Sequence, residues 1–166
     1  MSDVGAGYSC RVMKRAITLT VLVVALVVAG SATADAAKTV KASAKFSVQL
    51  ADQSGRYEFG QSKIVKSRLD AAPQVPVSLH AGPKARPFQE FVLAGRVEKG
   101  TQPTSEAVAL GINVDVGNQS MLLDSTDGGC TVKVTTLTKS RVSGSFTCDT
   151  TYGGQPLKAK GTFKAR

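Results

Sequence analysis

His80 is the only histidine in the chain, so a Ser-His-Asp site would have to be built on it. It stands in a proline-rich stretch, AAPQVPVSLHAGPKARP at 71–87, between Leu79 and Ala81. The G-x-S-x-G turn that presents a nucleophilic serine does not occur. The expected role of His80 is therefore that of an ordinary loop histidine, with no catalytic residue in the chain. Zinc needs clustered His and Cys, which the sequence lacks. Asp124 and Asp127 in DSTDGG offer oxygen atoms on a turn, as calcium would require, but without the EF-hand spacing. Asp before Gly-Gly is also a common turn, and the turn is the expected reading. No G-x-x-x-x-G-K-[ST] loop is present to cradle phosphate. With no Trp, and Tyr57 and Tyr152 the only tyrosines after residue 34, the chain is poor in sugar-stacking platforms. The expectation is a protein without cofactor or metal and without enzymatic activity.

Two sets of residues remain. Cys130 and Cys148 flank a pair of alternating runs. Cys130, Val132, Val134 and Thr136 fall on one face of the first, and Val142, Gly144, Phe146 and Cys148 on one face of the second. A short loop of Thr138, Lys139 and Ser140 makes Thr136 face Val142, Val134 face Gly144, Val132 face Phe146 and Cys130 face Cys148. A slip of one residue would turn one apolar set outward. Opposed cross-strand positions are close enough to bridge, so a Cys130–Cys148 disulfide is predicted. The second set is basic. Lys41 and Lys45 lie on the polar face of the first strand, and Lys158, Lys160 and Lys164 on that of the last. If the terminal strands are neighbours, these five form one stripe suited to anionic surfaces. The competing explanation is that lysines guard edge strands against aggregation.

The elements that would carry these residues have a period of two. From 40 to 50 the even positions are Val, Ala, Ala, Phe, Val and Leu, and the odd ones are Lys, Ser or Gln. Ser54 and Gly55 are expected to turn into a strand over 56–69, bulged near Gly60. The proline-rich stretch is expected to be loop with a short edge strand at 75–79. Strands are predicted at 88–97 and 107–116. On the latter, Val108, Leu110, Ile112, Val114 and Val116 share one face, and the small residues opposite imply close packing on the other. Gly117-Asn118 signals a hairpin into 119–123. Segments 130–137, 141–148 and 155–163 complete the set, with 98–106 read as loop. About eight or nine short strands and no amphipathic helix predict an all-β, antiparallel, immunoglobulin-like β-sandwich.

The N-terminus reads differently. Arg11, Lys14 and Arg15 precede the uncharged run AITLTVLVVALVVAG at 16–30, and SATADAA follows. A basic start, a short apolar stretch and A-x-A spacing predict a helical signal peptide over 1–34, cleaved after Ala34 or, second, after Ala36. The run falls short of the roughly 20 residues a membrane span needs. Met13 with Lys14 and Arg15 would by itself start a complete signal. One domain over 35–166 is then expected, extracytoplasmic, either periplasmic or secreted. It carries 18 basic and 11 acidic residues, a net charge of +7.

Residues 128–163, GGCTVKVTTLTKSRVSGSFTCDTTYGGQPLKAKGTF, are similar to a pattern met in small exported bacterial β-proteins and lipoproteins: Cys, alternating strand, turn, G-x-F-x-C, turn and a closing G-x-F strand. The resemblance implies an exported β-sandwich and no particular activity. The expected function is an exported, non-enzymatic binding or structural module at the cell envelope. Its expected partner is an anionic polymer or lipid surface. Export and few aromatic residues argue against nucleic acid, despite a pI near 9.7. The alternative is a small secreted hydrolase, or a hydrolase inhibitor acting through the 71–87 loop.

Overall fold

The computed structural model describes residues 38–69, 75–86, 88–126 and 129–166. The predicted signal segment, Met13, Cys10 and the cleavage sites lie outside them, as does Asp127 of the calcium candidate. The alternating sequence does what alternation dictates: each apolar side chain on the even positions of the first strand is buried, and each polar neighbour faces water. Twelve strands result. They are β1 (Lys38–Val40), β2 (Ala42–Leu50), β3 (Gln53–Gln61), β4 (Ser67–Leu69), β5 (Val75–Gly82) and β6 (Glu90–Val97). Then come β7 (Gly100–Pro103), β8 (Val108–Val116), β9 (Gln119–Ser125), β10 (Cys130–Thr138), β11 (Arg141–Tyr152) and β12 (Gln155–Ala165). There is no helix among the described residues.

All pairings are antiparallel, and they form one open sheet in the order β7-β10-β11-β12-β2-β3-β5-β6-β8-β9, with β4 also on β5 and β1 on β4. The first six strands of that order make a terminal half, because it joins β2 to β12. The last four make a central half. β3 passes between the halves. It pairs with β2 as far as Phe59, then with β5 through Gly60 and Gln61. The bulge expected at Gly60 is thus a change of partner. Residues 62–66 leave the sheet, which is why the long predicted strand over 56–69 splits into β3 and β4.

The sheet folds over so that its apolar face is inside. Phe91 of β6 lies 5.3 Å from Phe146, 6.0 Å from Phe46 and 6.2 Å from Phe163, all in the terminal half. Along one cross-strand row, Val132, Phe146, Gly161, Phe46 and Tyr57 are successive partners. Gly161 sits between two phenylalanines, and a Cβ there would overlap the Cβ of Phe46 and the carbonyl of Lys45. The missing side chain makes room for the rings on either side.

Three short strands take the count beyond the eight or nine expected: β1, β4, which is split from β3, and β7, in a stretch where Gly100 and Pro103 suggest loop. β7 ends on Pro103 and pairs with β10 alone, an edge position that tolerates proline. β5 is a full strand rather than mostly loop. Its partner β4 reaches only to Val77, so Pro76 falls beyond that pairing and forfeits no bond to β4. The first turn also differs: it is Ala51-Asp52, with Leu50 opposite Gln53, and Ser54 and Gly55 lie within β3.

The β10–β11 register places Cys130 opposite Cys148, Val132 opposite Phe146 and Val134 opposite Gly144, as the alternation requires. The cysteines are bonded, Sγ–Sγ 2.04 Å. A bridge closing so short a loop contributes about 3 kcal/mol in the chain-entropy picture. The fourth predicted pair is corrected. Thr136 faces Ser143 and Leu137 faces Val142, because Thr135 is an extra residue and the turn has two residues, Lys139-Ser140, rather than three. Thr104, just after β7, clasps the start of β10: its N–H donates to Cys130 O at 2.9 Å, and its Oγ1 lies 2.8 Å from Ser125 Oγ.

Candidate functional site

The five lysines meet on one face. β12 runs beside β2 along its whole length, and Lys41 and Arg166 exchange backbone hydrogen bonds at its end. Lys41, Lys45, Lys158, Lys160 and Lys164 are all exposed. These strands are not edges, however. β2 and β12 lie in the middle of the sheet, flanked by β3 and β11. Guarding a free strand edge therefore does not explain the stripe.

The outer face of the terminal half is a grid of basic and hydroxyl side chains. One cross-strand row reads Arg56, Ser47, Lys160, Thr147 and Thr131. The next outward-facing row on one side carries Glu58, Lys45, Thr162, Ser145 and Lys133. Neighbouring strands are about 4.8 Å apart and same-face residues on one strand about 7 Å apart, so the cations are closely spaced. A shallow groove of about 590 Å3 crosses this face, with Arg56, Lys158 and Lys160 at its walls and Ser47, Gln49 and Thr147 along it. Two of the lysines face acids: Lys45 lies 3.4 Å from Glu58 and Lys158 3.7 Å from Asp149. Lys160 and Lys164 have no carboxylate partner among the described residues.

The central half carries a different cluster. His80 is on β5, not in a loop, and its ring is only 16% exposed. Its Nδ1 is 2.8 Å from Glu90 Oε1 and its Nε2 is 3.1 Å from Ser78 Oγ. The sequence reading missed this group. Its signal was present: S-x-H in a strand puts both side chains on one face. Glu90 could not be found that way, since it comes from β6.

On the outer face of β8 the two polar residues, Asn113 and Asp115, are bonded to the segment after β5, whereas the space beside Gly111 is bounded by Val92 and Leu123 of the neighbouring strands. Asn113 Nδ2 donates to Phe88 O at 2.9 Å, and Asp115 accepts from Gln89 Nε2 at 2.8 Å, Arg86 at 3.1 Å and Ser120 Oγ at 2.6 Å. These hydrogen bonds, Ser120 first and Gln89 next, hold the Asp115 carboxyl below the usual carboxylate range, against partial desolvation. Burial, and secondarily the Asp115 charge, pushes the Tyr57 hydroxyl up. That hydroxyl donates to the Asp115 carbonyl at 2.6 Å. Of the proline-rich stretch 71–87 proposed as an inhibitory loop, 75–82 is strand, 83–86 lies outside any strand, and 71–74 and 87 lie outside the described residues. Asp124 is exposed on β9, and no three metal-ligating side chains cluster among the described residues.

No protein-family model, curated protein or solved structure matches the chain.

Proposed function

We propose that the chain is an exported binding module that attaches through the outer face of β10, β11, β12, β2 and β3 to anionic groups of the cell envelope, on a polymer or on lipid. The observation that carries this reading is the position of the lysine stripe: mid-sheet, on a continuous outer face, with Lys160 and Lys164 unpaired among the described residues. The face combines charge, which attracts phosphate or carboxylate, with Ser, Thr and Gln side chains that hydrogen-bond to either. Aromatic rings of the two halves meet across the interior, which supports a surface-binding role over that of a carrier with an internal cavity. The disulfide is in keeping with an oxidising compartment. A sandwich is supported by the contacts of Phe91 across the interior. The immunoglobulin-like variant has less behind it, since neighbours in the sheet are mostly neighbours in sequence.

The test replaces Lys41, Lys45, Lys158, Lys160 and Lys164 by Gln together. At low salt the wild type should adsorb to vesicles containing acidic lipid, or to a soluble polyphosphate, and the variant should bind at least tenfold more weakly. The vesicle and polymer arms separate the two sources of anionic groups. Equal adsorption of wild type and variant to both would end the proposal.

A further inference from the structure

We propose that Ser78 is the nucleophile of an acyl-transfer site on the outer face of the central half, with His80 as its base and Glu90 orienting the base. This inference is independent of the basic face. Its warrant is a connected relay. Glu90 Oε1 sits 2.8 Å from His80 Nδ1, so as a carboxylate it accepts that N–H. The tautomer with the proton on Nδ1 leaves a lone pair on Nε2, and Ser78 Oγ stands 3.1 Å from it, able to donate. That is the order of groups a serine hydrolase needs, nucleophile to base to orienting acid.

The backbone holds the relay in place. Ser78 and His80 are two apart on β5, which fixes both on one face. His80 is pinned through its main chain as well: its N–H donates to the buried Ser67 Oγ at 2.9 Å, and its carbonyl accepts from Ser62 N–H at 3.2 Å. The surroundings of Ser78 suit a substrate. Arg68 is its direct cross-strand partner on β4, exposed and without an ion pair among the described residues. A guanidinium beside the serine can stabilise the oxyanion of a tetrahedral intermediate. On the other side the direct partner is Ala94, followed by Ala109, both small.

Apolar side chains are exposed on neighbouring elements. The exposed large hydrophobic residues among those described are Ile64, Phe88 and Leu122. Ile64 is two residues from Ser62, which binds the His80 carbonyl. Leu122 is the cross-strand partner of Asn113, which is itself the partner of Glu90 and the donor to Phe88 O. Leu122 is thus three strands from Ser78, and these side chains flank the relay without lining it. An open face of this kind fits a short-chain carboxylic ester rather than a long acyl chain needing a deep pocket.

The chemistry balances with water alone. Ser78 Oγ bonds to the ester carbonyl carbon while its proton passes to His80 Nε2. The bond from carbon to the alcohol oxygen breaks, and the alcohol leaves with that proton. Water then attacks the acyl-serine, gives a proton to Nε2, and the carboxylic acid is released as the proton returns to Ser78.

The test uses the purified chain with p-nitrophenyl acetate and, separately, a fluorophosphonate probe. Wild type should release nitrophenolate at least about 100-fold faster than Ser78→Ala, the scale of a lost nucleophile and base. Peptide mass spectrometry should place the phosphonate on Ser78, and His80→Gln should slow that labelling to a similar extent. Melting curves confirm that the variants fold, which a half-exposed serine on an intact strand permits. Nitrophenolate release equal to that of Ser78→Ala, or no phosphonate on Ser78, would overturn the proposal.

Discussion

Asp115 shows how one exposed side chain organises a segment that has no secondary structure. Its carboxylate collects Ser120 from its own hairpin and Gln89 and Arg86 from the stretch before β6. All three favour the charged form. A carboxyl held low in the folded state stabilises the fold above its unfolded value, near 4. That contribution is lost as the pH falls through the lower folded value. The expected outcome is that Asp115→Asn costs more stability at pH 7 than at pH 3, because below the unfolded value the contribution of the carboxylate is already declining. Thermal melts of both proteins at the two pH values check this, and an equal difference at both would refute it. The sequence marked the face, since the residues alternating with the apolar stripe of β8 are small. It could not name the partner, because the spacing from 86 to 115 has no local pattern. The relay was hidden twice over: the prolines around His80 led to its being read as a loop residue beyond a strand at 75–79, and Glu90 required the β5–β6 register.

At the scale of elements, strands were readable where apolar and polar residues alternate over long runs, and their ends were not. The β10–β11 register could be derived because Cys130, Val132, Val134, Phe146 and Cys148 must all face inward. The bulge at Thr135 could not, since Thr135, Thr136 and Leu137 offer no unique inward choice. The β2–β3 turn was misplaced because Ser-Gly is the stronger turn signal, yet pairing Phe46 with Tyr57 and Ala44 with Phe59 forces the turn three residues earlier. Tertiary packing overrode local preference, and the backbone of Ala51 carries the consequence, with φ at 52°. An L-residue there costs about 1 kcal/mol relative to glycine. Ala51→Gly should therefore leave the melting temperature unchanged or raise it slightly, the relieved strain offsetting the greater entropy of an unfolded glycine. A fall of several degrees would show that the turn is unstrained.

Taken whole, the molecule presents two unlike outer faces from one continuous sheet, because the terminal half is patterned with Lys, Ser and Thr, whereas the four strands of the central half carry no lysine and mix Ala and Gly with polar groups such as His80, Glu90, Asn113 and Asp115. β2 and β12, far apart in the sequence, lie side by side, which concentrates their charges in one place. Net charge alone would also draw the protein to an anionic surface, so a useful experiment has to separate total charge from its arrangement. Two double variants do so. Lys45→Gln with Lys158→Gln removes the lysines that face Glu58 and Asp149, while Lys160→Gln with Lys164→Gln removes two that face no carboxylate among the described residues. Each lowers the net charge by the same two units. A lysine beside an anionic membrane is worth about 1 kcal/mol, and one already facing an acid is worth less. Adsorption to acidic vesicles at low salt should therefore fall by about tenfold or more for the 160/164 variant and distinctly less for the 45/158 variant. Both differences should shrink at physiological salt, where the screening length is about 8 Å. Equal losses would mean that the protein responds to its overall charge, and that the face built by β12 and β2 is not a binding site.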